Sequence, residues 1–315
     1  MNTTLFHNKR ALVLGGGGST GNAWLIGVVA GLFEAGVDVT TADLIIGTSA
    51  GSTAAAQITG ASLAELYEAT LTAPEQAGQN RPVQSRADQA RAGQGRPGSS
   101  GAGGVSTHME RTARIIADST DAADMRRKMG ASALQLQAEL DQSTQERWRA
   151  TVASRLPRPE WPAQSIIITA VNARTGEPVD FNRESGVTLA DAVAASCSSG
   201  FAYTIGSHAY VDGGYRTNAE NADLAAGYGR VLVLSPFGGR TRTPAAWGLD
   251  LDTQVRDLRD GGSRVETIFP DSASEHMFGT NAMNFSLRPA AARAGHQLGR
   301  SLGEKLGDMW NGQAG

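Results

Sequence analysis

The sequence predicts an α/β fold built around a central, mostly parallel sheet. Short apolar runs at 11–14 and 43–46 end in glycine or other small residues, as buried parallel strands do. Between them, apolar residues recur at helical spacing over 22–35, and Gly36 ends that helix. Strand, helix and strand in this order form a βαβ unit, for which a right-handed crossover is the default.

The rest of the chain continues this alternation. A helix rich in small residues follows the second strand through Ile58. Further strands are predicted at 165–171, 179–181, 209–211, 231–234 and 265–268, and further helices at 109–156, 187–196, 222–226, around Gln254 and at 290–310. Residues 74–106 are rich in Gly, Gln, Arg, Pro and Ser, which predicts a flexible insert. No repeat and no linker divides the chain, so we predict a single domain over 1–315.

Composition narrows the functional classes. The 315 residues carry 40% hydrophobic and 19% charged side chains, enough for a large core. A net charge of −3 and 6% aromatic residues, with no basic patch between aromatics, argue against nucleic-acid binding. The single cysteine, Cys197, allows no intrachain disulfide, and its small neighbours predict a partly buried, unreactive thiol. The polar N-terminus and the lack of a run of roughly 18 apolar residues predict a cytoplasmic protein, with peripheral membrane contact still open.

Glycines crowd the turn after the first strand. Gly16 to Gly21 fits G-x-G-x-x-G, with Gly17 and Gly18 inside the motif. Backbone N–H groups at such a helix start can bind the pyrophosphate of a dinucleotide or the oxyanion of a tetrahedral intermediate. A tight turn without a ligand is the third interpretation. A dinucleotide site also needs an acidic residue at the end of the second strand, where Gly47 stands instead.

The turn after the second strand is Gly47-Thr48-Ser49-Ala50-Gly51, which fits G-x-S-x-G. A serine on a sharp strand-to-helix turn presents its hydroxyl, and small residues at Gly47 and Gly51 let strand and helix approach closely. An apolar strand precedes the motif and a helical pattern follows it, which is the context this chemistry requires. Ser49 is therefore a candidate nucleophile.

Asp212-Gly213-Gly214 follows a short predicted strand and is either an accessible carboxylate or an ordinary Asp-Gly turn. A serine nucleophile needs a base within hydrogen-bond reach. None of the histidines stands in a convincing strand-end loop, and each is predicted to be a surface residue: His7, His108, His208, His276 and His296. No metal-binding motif is present, and no cofactor is expected.

Taken together, the three motifs resemble the patatin-like phospholipase family, which has a glycine-rich loop, then G-x-S-x-G, then D-G-[GA]. The resemblance covers about residue 9 to beyond Asp223 and implies a three-layer α/β/α patatin-like fold. It also implies a Ser–Asp dyad of Ser49 and Asp212 without histidine, an oxyanion loop of Gly16, Gly17 and Gly18, and a lipid or acyl-ester substrate.

The sequence departs from the family pattern at Thr20, where many members carry Arg or Lys. This leaves ester chemistry intact but leaves recognition of an anionic headgroup open. Arg240 and Arg242, after the predicted strand at 231–234, could replace the charge or belong to a solvated loop. Three other functions remain: a non-catalytic lipid-binding member of the family, an esterase with a Ser-His-Asp triad and a dinucleotide-binding oxidoreductase of the Rossmann type.

Overall fold

A computed structural model describes residues 6–72, 102–141 and 143–312. In these ranges eight strands form one sheet: β1 Phe6–Leu14, β2 Leu44–Gly47, β3 Ile166–Asn172, β4 Pro178–Phe181, β5 Tyr203–Ile205, β6 His208–Asp212, β7 Tyr228–Leu234 and β8 Arg264–Ile268. Their order is β5-β6-β3-β2-β1-β7-β8, and β4 also pairs with β3. The pairs from β3 through β2, β1 and β7 to β8 are parallel, whereas β4, β5 and β6 pair antiparallel.

The helices of the described ranges are α1 Gly18–Glu34, α2 Ala50–Ile58, α3 Leu63–Leu71, α4 Ala102–Ala117, α5 Ala122–Ala138, α6 Ser143–Ala153, α7 Leu189–Ser196, α8 Leu251–Asp260 and α9 Arg288–Asn311. The stretch predicted as helical over 109–156 is thus three helices, and a new one begins where the Asp121 side chain caps the Asp124 N–H. The helix predicted at 222–226 is a 3-10 helix, Ala222–Ala225.

The predicted insert at 74–106 is only partly visible. Residues 73–101 lie outside the described residues. The remainder, 102–106, forms the first turn of α4 and not a loop.

Alternating side chains of β1 separate two cores. Leu12 and Leu14 belong to the larger core, which includes apolar residues of α1 and α9. Ala11 and Val13 face the other core, where Leu258 of α8 packs. Because successive strand residues point to opposite faces, helices cover both sides of the sheet. This is the predicted three-layer α/β/α arrangement.

Helices α1 and α9 meet backbone to backbone at reciprocal glycines. A Cβ on Gly27 would lie 2.1 Å from the carbonyl oxygen of Ala292, and one on Gly299 would lie 2.3 Å from that of Val28. No larger residue fits at these contacts without moving a helix. The contact lays α9 along α1, and its first residue, Arg288, reaches the first turn of α1.

The turns after β1 and β2 lie side by side because these strands are parallel neighbours. Leu14 pairs with Gly47, and the Thr48 N–H donates to the carbonyl oxygen of Leu14 over 3.1 Å. Both helices α1 and α2 therefore start at the carboxyl edge of the sheet, where α/β folds bind ligands. None of the helices in the described ranges combines the length and apolarity that a membrane crossing needs.

Candidate active site

Ser49 occupies a strained turn between β2 and α2. Its φ of 53° and ψ of −114° lie outside the regions that L-residues favour. A Cβ at Gly51 would approach the carbonyl oxygen of Leu14 to 1.8 Å, and one at Gly47 would approach that of Gly51 to 2.7 Å. The Ser49 N–H donates to the Ser196 hydroxyl over 2.9 Å. Close packing of the two glycines and a hydrogen bond to a residue distant in sequence together hold the turn in this conformation.

Asp212 ends β6 and is 7% exposed. Burial raises the pKa of its carboxyl to about 6, although the Gly214 N–H and the Ser49 hydroxyl stabilise the charged form. The Gly214 N–H lies 2.8 Å from Asp212 Oδ1. At Gly213 an added Cβ would meet Thr169 Oγ1 at 2.1 Å, so glycine is needed there. The structure therefore brings Ser49 and Asp212 together, with the carboxylate poised to titrate near neutral pH.

The glycine loop lies beside Ser49. A Cβ built on Gly16 would be 3.6 Å from Ser49 Cβ. The Gly16 N–H is already paired with the carbonyl oxygen of Ala219 over 2.8 Å. Among the described residues, the N–H groups of Gly17 and Gly18 have no hydrogen-bond partner, and they stand at the start of α1. Two of the three predicted oxyanion donors are thus free to bind an anion, helped by the helix dipole.

Backbone close packing explains why the loop consists of glycines. Gly18 has a φ of +63°. A Cβ on Gly17 would lie 2.6 Å from Pro236 Cβ, and one on Gly21 would lie 3.1 Å from the same atom. Pro236 follows β7, so this neighbouring strand end fixes the distance between the loop and the rest of the site.

A buried amide that the motifs did not reveal joins the turn of Ser49 to the turn of Asp212. Asn221 Nδ2 donates to Thr48 Oγ1 over 2.9 Å and to the carbonyl oxygen of Gly213 over 3.0 Å. Thr48 and Gly213 immediately precede Ser49 and follow Asp212, respectively. Asn221 is fully buried and left-handed, with a φ of 55°. Its side chain therefore sets the spacing between the candidate nucleophile and the candidate base.

The histidines do not approach Ser49 in the part of the chain whose side chains are described. His208 and His276 are exposed, as predicted, and the side chain of His7 lies outside the description. His108 is more buried than predicted: it is only partly exposed, it contacts the Tyr215 hydroxyl at 3.4 Å, and burial lowers its pKa to about 4. His296 is also largely covered, because it stacks on Tyr67 at 4.5 Å.

Cys197 packs against the turn of Ser49. Its thiol donates to the carbonyl oxygen of Ser49 over 3.1 Å. Burial raises the pKa of the thiol to about 11, which keeps it protonated. The expectation of a partly buried, unreactive cysteine is confirmed in these two respects. In the ranges that the structure describes, no three His, Cys, Asp or Glu side chains are grouped so as to hold a metal ion.

Comparison with protein families gives a match to the model described as patatin-like phospholipase, over residues 12–225. Among solved structures, the chain resembles VipD from Legionella pneumophila, with 11% identity, a TM-score of 0.41 and coverage of 95% of this chain and 67% of that chain. It resembles the type III effector ExoU with 15% identity and a TM-score of 0.39, covering 95% of this chain and 53% of that chain.

A third structure is the complex of full-length SpcU and full-length ExoU from the type III secretion system of Pseudomonas aeruginosa. It matches with 18% identity and a TM-score of 0.38, over 98% of this chain and 53% of that chain. The chain therefore spans about half the length of these two relatives. Comparison with curated proteins gives no match.

Proposed function

Because this chain belongs to the patatin-like phospholipase family, we propose that it hydrolyses lipid acyl esters with Ser49 as nucleophile and Asp212 as general base. The observation that carries the proposal is the strained Ser49 turn, whose hydroxyl interacts with the buried Asp212 carboxylate. The sheet that holds both residues includes every described strand, which supports one catalytic domain.

In the proposed reaction, the Asp212 carboxylate accepts the proton of the Ser49 hydroxyl as its oxygen attacks the ester carbonyl carbon. The tetrahedral oxyanion accepts hydrogen bonds from the N–H groups of Gly17 and Gly18, and the start of α1 adds its dipole. Gly16 does not donate to the oxyanion, since its N–H is already paired; its lack of a side chain lets the loop lie close to Ser49. Collapse expels the alcohol, which takes the proton from Asp212. Asp212 then takes a proton from a water molecule, whose oxygen attacks the acyl carbon. The bond to Ser49 Oγ breaks, this oxygen takes the proton back from Asp212, and the carboxylic acid leaves.

A dyad is favoured over a Ser-His-Asp triad because no histidine with a described side chain contacts Ser49. The raised pKa of Asp212 also fits a carboxylate that must hold a proton during turnover. Lipid binding without catalysis requires neither the strained backbone at Ser49 nor the two unpaired N–H groups of the glycine loop, so it explains neither feature.

A fluorophosphonate probe tests the nucleophile. We expect wild-type protein to be labelled at Ser49 and to hydrolyse short acyl esters, and Ser49→Ala to lose labelling and at least about 1,000-fold in kcat. Asp212→Asn should fall nearly as far. Ser301→Ala, which alters an exposed serine of α9, is the matched control and should keep both properties. Full ester hydrolysis by Ser49→Ala would exclude this mechanism.

Histidine replacements separate the two hydrolase mechanisms. His108→Gln, His208→Gln, His276→Gln and His296→Gln should each retain ester turnover if Asp212 acts directly on Ser49. Loss of turnover in one folded histidine variant, with retained binding of substrate, would instead indicate a triad.

A further inference from the structure

One face of α2 leads away from Ser49. Thr53 and Gln57 follow Ser49 at intervals of four residues, so they lie on the same face, about 6 and 12 Å further along the helix. The Gln57 amide accepts a hydrogen bond from Asn22 Nδ2 over 2.9 Å and donates to the carbonyl oxygen of Arg155 over 3.2 Å. This face is therefore bordered by α1 on one side and by the segment after α6 on the other.

Arg288 borders the face on the side of α1. Its Nη1 donates to the carbonyl oxygen and the hydroxyl of Ser19, at 2.7 and 3.2 Å, and its Nη2 donates to Asn22 Oδ1 over 3.3 Å. Every one of these acceptors is neutral. The side chain is half-buried, and no carboxylate in the described ranges pairs with it. Arg288 thus places a positive charge beside the first turn of α1, where the glycine motif of this sequence has none.

Arg155 borders the opposite side. Its carbonyl oxygen is fixed by Gln57, but its half-buried guanidinium has no hydrogen bond or ion pair among the residues that the structure describes. Its charged neighbour is Arg288, and it also acts electrostatically on Cys197, whose thiol touches the carbonyl oxygen of Ser49. Arg155 therefore lies near both Arg288 and the turn of the candidate nucleophile.

Two half-buried guanidinium groups without an acidic neighbour are unfavourable in the free protein. Burial lowers the pKa of both, and the charge of Arg155 lowers that of Arg288 further, to about 10. Buried charges in proteins are normally paired, because desolvation without a partner costs free energy. An anion from outside the chain would remove this repulsion and supply the missing pair.

We propose that Arg155 and Arg288 together bind a phosphate-type oxyanion that the substrate carries beside the ester attacked by Ser49. This inference rests on the proposed function. The positions of Thr53 and Gln57 place the anion one to two helical turns from Ser49, a span that the glycerol unit between an ester and a phosphate can bridge. Planar guanidinium groups match the paired oxygens of phosphate in two-point hydrogen bonds.

Other candidates for this charge lie elsewhere. Thr20 is fully buried, and its N–H is bonded to the carbonyl oxygen of Ala282. Arg240 lies 3.8 Å from Glu275, and Arg242 donates to the carbonyl oxygen of Met109. Both of these arginines therefore already have partners within the chain, whereas the Arg155 guanidinium has none among the described residues.

The test compares two esters with the same acyl chain below their critical micelle concentrations: a 1-acylglycerol 3-phosphate and the neutral 1-monoacylglycerol. We expect the wild-type kcat/KM to favour the phosphate ester. In Arg155→Gln and in Arg288→Gln the ratio of the two kcat/KM values should fall about 10- to 100-fold, mainly through KM, because each removes a charged hydrogen-bond donor. Arg288→Lys, which keeps the charge, should recover part of the ratio.

Arg158→Gln and Arg293→Gln are matched controls, since both alter exposed arginines close in sequence to the proposed pair, and each should leave the ratio at its wild-type value. Folding of every variant is checked by thermal unfolding. An unchanged ratio in folded Arg155→Gln and Arg288→Gln, with hydrolysis of the neutral ester intact, overturns the anion site but not the proposed function. Absence of hydrolysis of both esters in wild-type protein overturns the proposed function itself.

Inorganic phosphate distinguishes a substrate group from a free ion. We expect it to compete with the acylglycerol phosphate in wild-type protein and less well in either variant. Inhibition of neutral-ester turnover by inorganic phosphate, without any preference for the phosphate ester, would show a free-ion site and overturn the inference about the substrate.

Discussion

Replacement of Asn221 tests whether one buried amide sets the geometry of the site. Asn221→Gly removes the side chain but keeps the left-handed backbone, which is available to glycine at its φ of 55°. Three short hydrogen bonds are lost: those that Asn221 Nδ2 donates to Thr48 over 2.9 Å and to Gly213 over 3.0 Å, and the one that Asn221 Oδ1 accepts from the Thr217 hydroxyl over 2.7 Å. Two longer ones, to Thr169 and from Arg216, both at 3.4 Å, are lost with them. At about 1 to 2 kcal/mol for each of the three short bonds, unfolding should become easier by roughly 3 to 6 kcal/mol.

The same change should lower kcat by about 10- to 100-fold, because Ser49 and Asp212 lose the group that fixes their separation. Asn221→Ala should be less stable than Asn221→Gly by a further ~1 kcal/mol, since alanine pays for the left-handed conformation. Denaturant unfolding and steady-state kinetics on a short acyl ester measure both effects.

Gln297→Ala, at an exposed position of α9, serves as control and should stay within about 0.5 kcal/mol of the wild type. The pH at which kcat/KM is half-maximal should move little in Asn221→Gly, because the environment that buries Asp212 is retained. Wild-type stability and wild-type kcat in folded Asn221→Gly would refute the assignment of Asn221 as a positioning residue.

Three further changes have defined outcomes. Since the Asp212 carboxylate must be charged to accept a proton, kcat/KM should rise with pH through the raised pKa of about 6 and level off above it, as a pH–rate profile measures. Glu220 is fully buried, and burial raises the pKa of its carboxyl from 4.5 to about 7. Because the folded protein holds this proton more tightly than the unfolded chain does, the free energy of unfolding should fall as pH rises from about 4.5 to about 7. Glu220→Gln should remove about 3 kcal/mol of that pH dependence in denaturant titrations, and equal pH dependence in both proteins would contradict the shift. Gly51→Ala should be destabilised by at least about 2 kcal/mol and lose ester turnover, because its Cβ would lie 1.8 Å from the carbonyl oxygen of Leu14; a thermal unfolding curve like that of the wild type would disprove the close contact.

Those parts of the fold and of the site that are encoded by residues adjacent in the sequence could be predicted. The strand at 11–14, the helix at 22–35 and the turn at Ser49 were predicted because each is encoded by adjacent residues: an apolar run, a helical period and closely spaced glycines. At these elements the tertiary contacts favour the same local structure as the sequence pattern does, so the predictions hold in the folded chain.

What sequence patterns could not supply is the pairing of distant residues. Ser196 accepts the Ser49 N–H across 147 positions, and Arg288 reaches Ser19 across 269. Ser196 and Arg288 belong to no sequence motif, and from the sequence each is indistinguishable from any other helix residue. His108 was predicted to lie on the surface because it borders the insert predicted at 74–106, but in the folded chain it is partly buried and contacts the Tyr215 hydroxyl. The helical pattern over 109–156 hid two breaks, since cap residues such as Asp121 also occur inside longer polar helices.

The contact between α1 and α9 has an evolutionary consequence. The region shared with the family ends at residue 225, whereas α9 begins at Arg288, so the helix that leans on the first turn of α1 comes from outside that region. Gly27 and Gly31 have no use without a partner helix that presents its own backbone, as Gly295 and Gly299 do. In descendants of a common ancestor these two glycine pairs should be gained and lost together.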